Sequence, residues 1–355
     1  MSRLFSKKWD DLVPYVPGEQ PKDNIKYIKL NTNESPFPPS AKATAAAAEA
    51  AKTLNLYSDP TSSRLRKKLS ETYNVDIDNV IVGNGSDELL YFAFKAFCDD
   101  ETPAVYPETS YGFYPVFSAV NKVPAEEIYL KDDFSIDPED YINANGTIII
   151  ANPNAPTGLS LSVSDIERII QSKKDNVVII DEAYVDFGGE SCIPFTKKYD
   201  NLLVIQTFSK SRSLAGGRLG FAIGNKELIS DLNTLRYSFN PYNVNKMTEA
   251  AGIGALEDDE YMKANCRTII ENREYTVNEL KKLGFDGPKS TANFIFVKHE
   301  KVSGAYLYPE LKKRGILIRH FNTPALMDYM RISIGTKEQM DVLIKTLADI
   351  LSEQA

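Results

Sequence analysis

Four short polar clusters carry the candidate chemistry of this chain, and each follows a short apolar run. GNGSDE (83–88) follows Val80-Ile-Val82, and NPNAPTG (152–158) follows Thr147-Ile-Ile-Ile150. DEAY (181–184) follows Val177-Val-Ile-Ile180, and TFSKSRSLAGGRLG (207–220) follows Leu202-Leu-Val-Ile205. In the first, Gly83 and Gly85 permit unusual backbone angles, and Ser86 caps a helix whose free N–H groups suit a phosphate. Glu88 breaks the GxGxxG pattern, so this is no dinucleotide fingerprint, and an ordinary strand-to-helix turn is the plainer reading. Asp181 ends a strongly apolar run; it is either a loop residue making Asx-turn bonds or a carboxylate that needs a partner, because an unpaired buried charge is costly. Lys210 reads as a surface lysine or, if partly desolvated beside cations, as an amine able to form a Schiff base. Arg218 lies eight residues on, past a small-residue loop, and its fork could hold a phosphate through two hydrogen bonds. Together the clusters offer an anion cradle, an amide, a carboxylate and an amine.

The elements that must position them alternate. Helices over 62–73, 87–98 and 163–172 interleave with short, continuous apolar strands at 80–82, 104–106, 147–150, 177–180, 202–205 and 219–223. Such runs predict an α/β fold: a large domain with a mostly parallel sheet covered by helices on both faces. Ligands of such sheets bind outside the carboxyl ends of the strands. Ahead of this region, prolines at 14, 17 and 21 exclude a long helix from an N-terminal arm over 1–30. A strand over 25–30 ends the arm, and an Ala-rich helix over 41–54 follows, capped by Ser40. The large domain spans 31–245. After it the pattern changes to helices near 242–256 and 258–283, strands at 293–297, 316–318 and 330–334, and a final helix with apolar residues at i, i+3, i+4, i+7. These predict a smaller α+β domain over 246–355.

Composition narrows the classes. The chain has 355 residues with ordinary globular usage, and 41 Lys and Arg against 49 Asp and Glu give a net charge of −8. That disfavours a general nucleic-acid or anionic-membrane binder. Cys98, Cys192 and Cys266 are far apart and form no CxxC, which suits a reduced, cytoplasmic setting. With only His299 and His320, no metal site is expected. No signal peptide or membrane-length apolar run is present.

In this order, GNGSDE, NPNAPTG, DEAY and TFSKSRSLAGGRLG resemble the fold-type-I aminotransferases, which use pyridoxal 5′-phosphate. More narrowly, the chain is similar to the histidinol-phosphate aminotransferases through LVPYVPG (12–18), KLNTNESPF (29–37), LYSDPTSSRLRKKL (56–69), YPETSYGFY (106–114), GILIRHF (315–321) and DYMRISIGT (328–336). The resemblance spans nearly the whole chain and implies a homodimer. The activity the resemblance implies is transfer of an amino group from L-histidinol phosphate to 2-oxoglutarate, giving imidazole acetol phosphate and L-glutamate in histidine biosynthesis.

The resemblance also implies roles. Lys210 forms the Schiff base and then acts as acid and base, Asp181 pairs with the pyridinium nitrogen, and Tyr184 and Asn154 hydrogen-bond the phenolic oxygen. Ser86, Asp87, Ser209 and Arg218 hold the phosphate, and Tyr57 reaches that of the neighbouring subunit. Tyr111 stacks on the pyridine, with an ordinary core tyrosine as the alternative. Arg331, Arg319 and Tyr15 bind substrate. Two positions depart from the pattern: Ala155 stands where many relatives carry Asn, and Gly217 where a larger apolar residue is frequent, which predicts a looser loop. His320 is not expected to bind an imidazole, and His299 is expected in a solvated turn. Aromatic amino-acid aminotransferases share the Lys210 and Asp181 machinery and remain the nearest rival. Phosphothreonine decarboxylases have similar motifs, and a cofactor-binding regulatory module is the non-enzyme alternative.

Overall fold

The computed structural model describes residues 2–21 and 26–354. Ile25, the expected first residue of the strand ending the arm, lies outside them. Strand β1 (Ile28–Leu30) precedes β2 (Val80–Gly83), β3 (Ala104–Pro107), β4 (Ala125–Ile128), β5 (Thr147–Ala151), β6 (Val178–Asp181), β7 (Leu202–Thr207) and β8 (Gly220–Gly224). Then come β9 (Phe285–Asp286), β10 (Phe294–His299), β11 (Ile316–His320) and β12 (Tyr329–Ser333).

The large sheet has the order β2-β8-β7-β6-β5-β3-β4, in which only β8 runs against its neighbours. Its central strands are apolar throughout because both faces are covered, and alternate residues enter different cores. Ile148, Ile150, Val178, Ile180 and Val204 pack on one side, while Ile149, Ile179, Leu203 and Ile205 pack on the other. Register aligns the strand ends: Ala151 lies beside Asp181, and Gly220 beside both Gly83 and Thr207. All four polar clusters therefore leave the sheet at one edge.

The second sheet, β1-β11-β12-β10-β9, is antiparallel except where β1 lies parallel to β11. The final helix, Lys337–Ser352, packs on it through Met340, Leu343, Leu347 and Ile350, and starts with a reciprocal Thr336–Gln339 capping box.

Several elements appear without an expectation, helix Pro138–Asn143 and strand β9 among them. Helices Tyr114–Asn121 and Lys226–Phe239 bury short apolar stripes within mainly polar or turn-like sequence. Edge strand β4, Ala-Glu-Glu-Ile, is charged and exposed, so no apolar run marks it. Helix Lys246–Leu256 also departs from the expected division after 245. Ala251, Ala255 and Leu256 belong to the large-domain core with Ala43 and Leu65, because its small residues let helix Ala41–Ala51 approach closely. A Cβ on Gly254 would lie 2.6 Å from the Lys42 carbonyl oxygen.

Candidate active site

At the shared strand edge lies a cavity of about 340 Å³, lined among others by Ser86, Asp87, Asp181, Ser209, Lys210 and Arg218. Beside it lies an outer cavity of about 770 Å³, to which Tyr15, Lys210, Arg319 and Arg331 contribute. Tyr111 and Tyr184 line both.

Asp181, the last residue of β6, is 4% exposed. Its carboxylate accepts hydrogen bonds from the Tyr114 hydroxyl at 3.1 Å and the Ala183 N–H at 3.3 Å. Burial pushes its pKa up to about 7 against the pull of the Tyr114 bond, and Asp87 adds to the rise. Neighbouring Glu182 is a separate buried carboxylate facing away from the cavity. Burial also pushes it up to about 7, against hydrogen bonds from Ser191, the Cys192 N–H and Gln206.

Lys210 follows β7. Its Nζ donates to the Thr32 carbonyl at 3.3 Å and lies 5.7 Å from the centre of the Tyr184 ring. The Tyr184 hydroxyl accepts from Asn33 Nδ2 at 3.0 Å. The segment after β1 thus reaches both catalytic candidates, a contact between residues 151 positions apart that local sequence does not signal.

The glycine turn leads into the start of a helix at one end of the cavity. Helix Ser86–Phe97 starts after Gly85, which has φ +79° and supplies no side-chain cap, so its first N–H groups are open to a ligand. Gly220 lies against that helix start: a Cβ there would sit 2.4 Å from the Ser86 nitrogen. Arg218 donates to Asp87 Oδ2 at 2.9 Å, and the Tyr111 hydroxyl donates to Asp87 Oδ1 at 2.7 Å. Buried Ser209 accepts from Thr207 Oγ1 at 2.9 Å. Ser86 starts the helix rather than capping it, since its side chain makes no capping bond. The loop around Gly217 is a short 3-10 turn, fixed by the Thr248 hydroxyl donating to the Gly217 carbonyl at 2.7 Å.

Asn154 is held beside the cavity. Its amide nitrogen donates to the Thr109 carbonyl and to Thr157 Oγ1, each at 3.0 Å, and its oxygen accepts from Ser110 at 2.8 Å. Pro153 and Ala155, on either side of it, line the inner cavity.

In the outer cavity Arg319 and Arg331 are direct cross-strand partners on β11 and β12. Arg331 Nη2 donates to the Asn31 carbonyl at 3.1 Å, whereas its buried Nε has no partner. Burial lowers its pKa from the ordinary arginine value. Arg319 Nη2 reaches the Val16 carbonyl at 3.4 Å. Tyr15 stacks on Phe113 at 4.2 Å, bringing the arm over the cavity. Two like charges facing each other at a strand pair are unfavourable without an anion between or beside them.

Three residues lie elsewhere. Tyr57 is 81% exposed and stacks on Tyr242 at 4.7 Å, outside both cavities. His320 is turned to the Met327 carbonyl, 2.7 Å away, and does not line the cavity. His299 is half-buried against Phe285 and accepts from the N–H groups of Lys301 and Val302, so it fastens its turn rather than standing free in solvent. Among the described residues, no cluster of side chains is arranged to hold a metal ion. No helix among them is long and apolar enough to cross a membrane.

The donor set fits pyridoxal 5′-phosphate. A buried carboxylate suits a protonated ring nitrogen, uncapped helix N–H groups with Ser209 and Arg218 suit a phosphate, and Lys210 supplies the amine. Fold and site together define an aminotransferase, and residues 25–347 match the model of the family "Aminotransferase class I and II". The chain belongs to that family of pyridoxal-phosphate-dependent enzymes, within the branch of the histidinol-phosphate aminotransferases. It is 49% identical to the histidinol-phosphate aminotransferase of Brachyspira hyodysenteriae, over 99% of each chain. Identity to that of Clostridium botulinum strain Kyoto is 47%, over 99% of this chain and 100% of the relative. The crystal structure of the histidinol-phosphate aminotransferase from Clostridium acetobutylicum, 26% identical, matches 92% of this chain and 99% of its own with a TM-score of 0.85.

Proposed function

We propose that this enzyme moves an amino group from L-histidinol phosphate to 2-oxoglutarate, giving imidazole acetol phosphate and L-glutamate. The observation that carries the reading is the facing Arg319–Arg331 pair, with an unpartnered Arg331 Nε, beside Lys210 in one cavity. Both amino-group carriers present an anion, a phosphate in one half-reaction and a carboxylate in the other, and a guanidinium fork accepts either. The curated relatives bearing this activity in their names add support.

When bound, pyridoxal 5′-phosphate supplies a carbonyl that exchanges with amines and a ring that accepts the electron pair left on the substrate carbon. Asp181 holds the proton on the ring nitrogen, and Tyr184 is assigned to the phenolic oxygen; Asn154 is not, because both of its N–H donors are taken by Thr109 and Thr157 and it lines neither cavity. The backbone N–H groups at Ser86 and Asp87, the Ser209 hydroxyl and the Arg218 guanidinium bind the phosphate, and Tyr111 lies on the ring face. With the cofactor held there, Lys210 Nζ would take the proton from the substrate carbon that carries the amine and return it as an acid. Arg331 and Arg319 orient the substrate anion, and Tyr15 closes the cavity over it, excluding water.

The active form is a homodimer in this reading. Exposed Tyr57 and its neighbours Leu54, Leu56 and Tyr242 form an apolar patch suited to a second copy, whose cofactor phosphate Tyr57 reaches. Arm, large domain and small domain act as three units, meeting at the cavity. Three buried free thiols accord with a reducing cytoplasm.

Absorption spectroscopy on the purified, cofactor-loaded enzyme tests the substrate. Adding L-histidinol phosphate without a 2-oxoacid should collapse the visible band to the near ultraviolet. The aromatic walls of the outer cavity, Tyr15, Tyr111 and Phe321, give a second reading, an aromatic amino-acid aminotransferase. A band bleached by phenylalanine or tyrosine but not by histidinol phosphate would select it.

A further inference from the structure

We propose that Tyr114 is a positioning residue for the cofactor, holding the Asp181 carboxylate ionised and aimed so that it can retain a proton on the ring nitrogen. Tyr114 opens helix Tyr114–Asn121, and its ring is fully buried. Its hydroxyl donates to Asp181 Oδ2 at 3.1 Å, and among the described residues the one other bond to that carboxylate is the 3.3 Å contact from the Ala183 N–H. The same ring meets Tyr111, the residue assigned to the pyridine face, edge-on at 5.7 Å and 87°. One side chain thereby links the acid at the ring nitrogen to the aromatic surface beside it.

The proton has one direction to go. Burial, followed by the charge of Asp181, raises the Tyr114 phenol well above 10.0, so the phenol donates and the carboxylate accepts. Around Asp181 stand Lys210, which favours its ionised form, and Asp87, which opposes it and is itself paired with Arg218. The Tyr111 and Tyr184 hydroxyls are bonded to Asp87 and Asn33. Burial outweighs these groups, so the Tyr114 hydrogen bond helps decide whether Asp181 meets the ring as an anion. A neutral carboxyl cannot neutralise a protonated pyridine, and a hydrogen bond to a charged group is among the stronger ones.

The inference rests on the cofactor reading of the site and not on the choice of amine donor, and its test contains no donor. Pyridoxamine 5′-phosphate, which cannot bond covalently to Lys210, is titrated into the cofactor-free full-length enzyme across a range of pH. Tyr114→Phe, which keeps the ring and its contact with Tyr111, should weaken binding about tenfold and move the acid-side fall of affinity to higher pH by about one unit. In an Asp181→Asn background the same change should have almost no effect. Tyr114→3-fluorotyrosine, a stronger donor, should move the acid limb to lower pH, which keeps the test open should the phenylalanine variant fold poorly. Equal weakening at every pH, or full additivity with Asp181→Asn, would show a merely structural tyrosine and overturn the proposal.

Discussion

In the proposed reaction, Arg331 is the residue on which the two half-reactions converge. Its Nε has no protein partner, and Arg319 faces it across the strands, so the pair is completed by a ligand anion. Arg331→Ala should lower kcat/KM for histidinol phosphate and for glutamate together, each by at least about a hundredfold, as for loss of a charged hydrogen-bonded contact. Separate half-reaction kinetics check this; damage confined to glutamate would place the phosphate elsewhere. Asp181 makes a prediction about pH. Its pKa rises on folding from 3.8 to about 7, so the folded state holds a proton that the unfolded chain has lost. Its contribution to stability is therefore full at low pH and disappears as pH climbs through about 4 to about 7. Asp181→Asn removes this dependence and leaves that of Glu182 in place. The Tm of cofactor-free Asp181→Asn, relative to wild type, should be higher at about pH 8 than at about pH 5, and a constant difference would refute the shift.

At the scale of elements, the phosphate cradle depends on how closely β8 approaches helix Ser86–Phe97. Gly220 has no room for a methyl group against the Ser86 nitrogen and the Gly85 carbonyl carbon, 2.4 and 2.6 Å from where it would sit. Both neighbours are backbone, so the helix start must shift. Gly220→Ala should destabilise the enzyme by about 1–3 kcal/mol and weaken pyridoxamine 5′-phosphate binding, read by thermal melting and titration. Loss of stability with unchanged affinity would mean that the helix start does not hold the phosphate.

Across the whole molecule, each polar cluster is contributed by a different strand, and the arm and second sheet complete the cavity from residues hundreds of positions away. In the proposed homodimer, the exposed Tyr57 patch extends this to a second chain. A purified enzyme at twice 39.7 kDa by light scattering is the expected result. Lys210→Ala and Tyr57→Ala subunits, co-refolded at limiting cofactor, should exceed the sum of their separate activities. In the mixed dimer one site keeps its lysine and receives an intact Tyr57 from across the interface. Simple additivity would remove Tyr57 from the partner's site.

The amino-acid sequence by itself determined the sheet and its catalytic edge. Its buried strands are continuous apolar runs, and the reactive clusters begin where those runs stop, because a strand end is where polar groups first meet a cavity. Lys210, Asp181 and the glycine turn were legible for that reason. Only the tertiary structure decided the rest. Helix Lys246–Leu256 joined the large-domain core because its small residues admit a neighbouring helix. Tyr114 came to Asp181, and Asn33 to Tyr184, over separations of 67 and 151 residues. Arg319 met Arg331 through strand register. Such contacts come from packing and register, which join residues distant in the chain and leave no local pattern in its sequence.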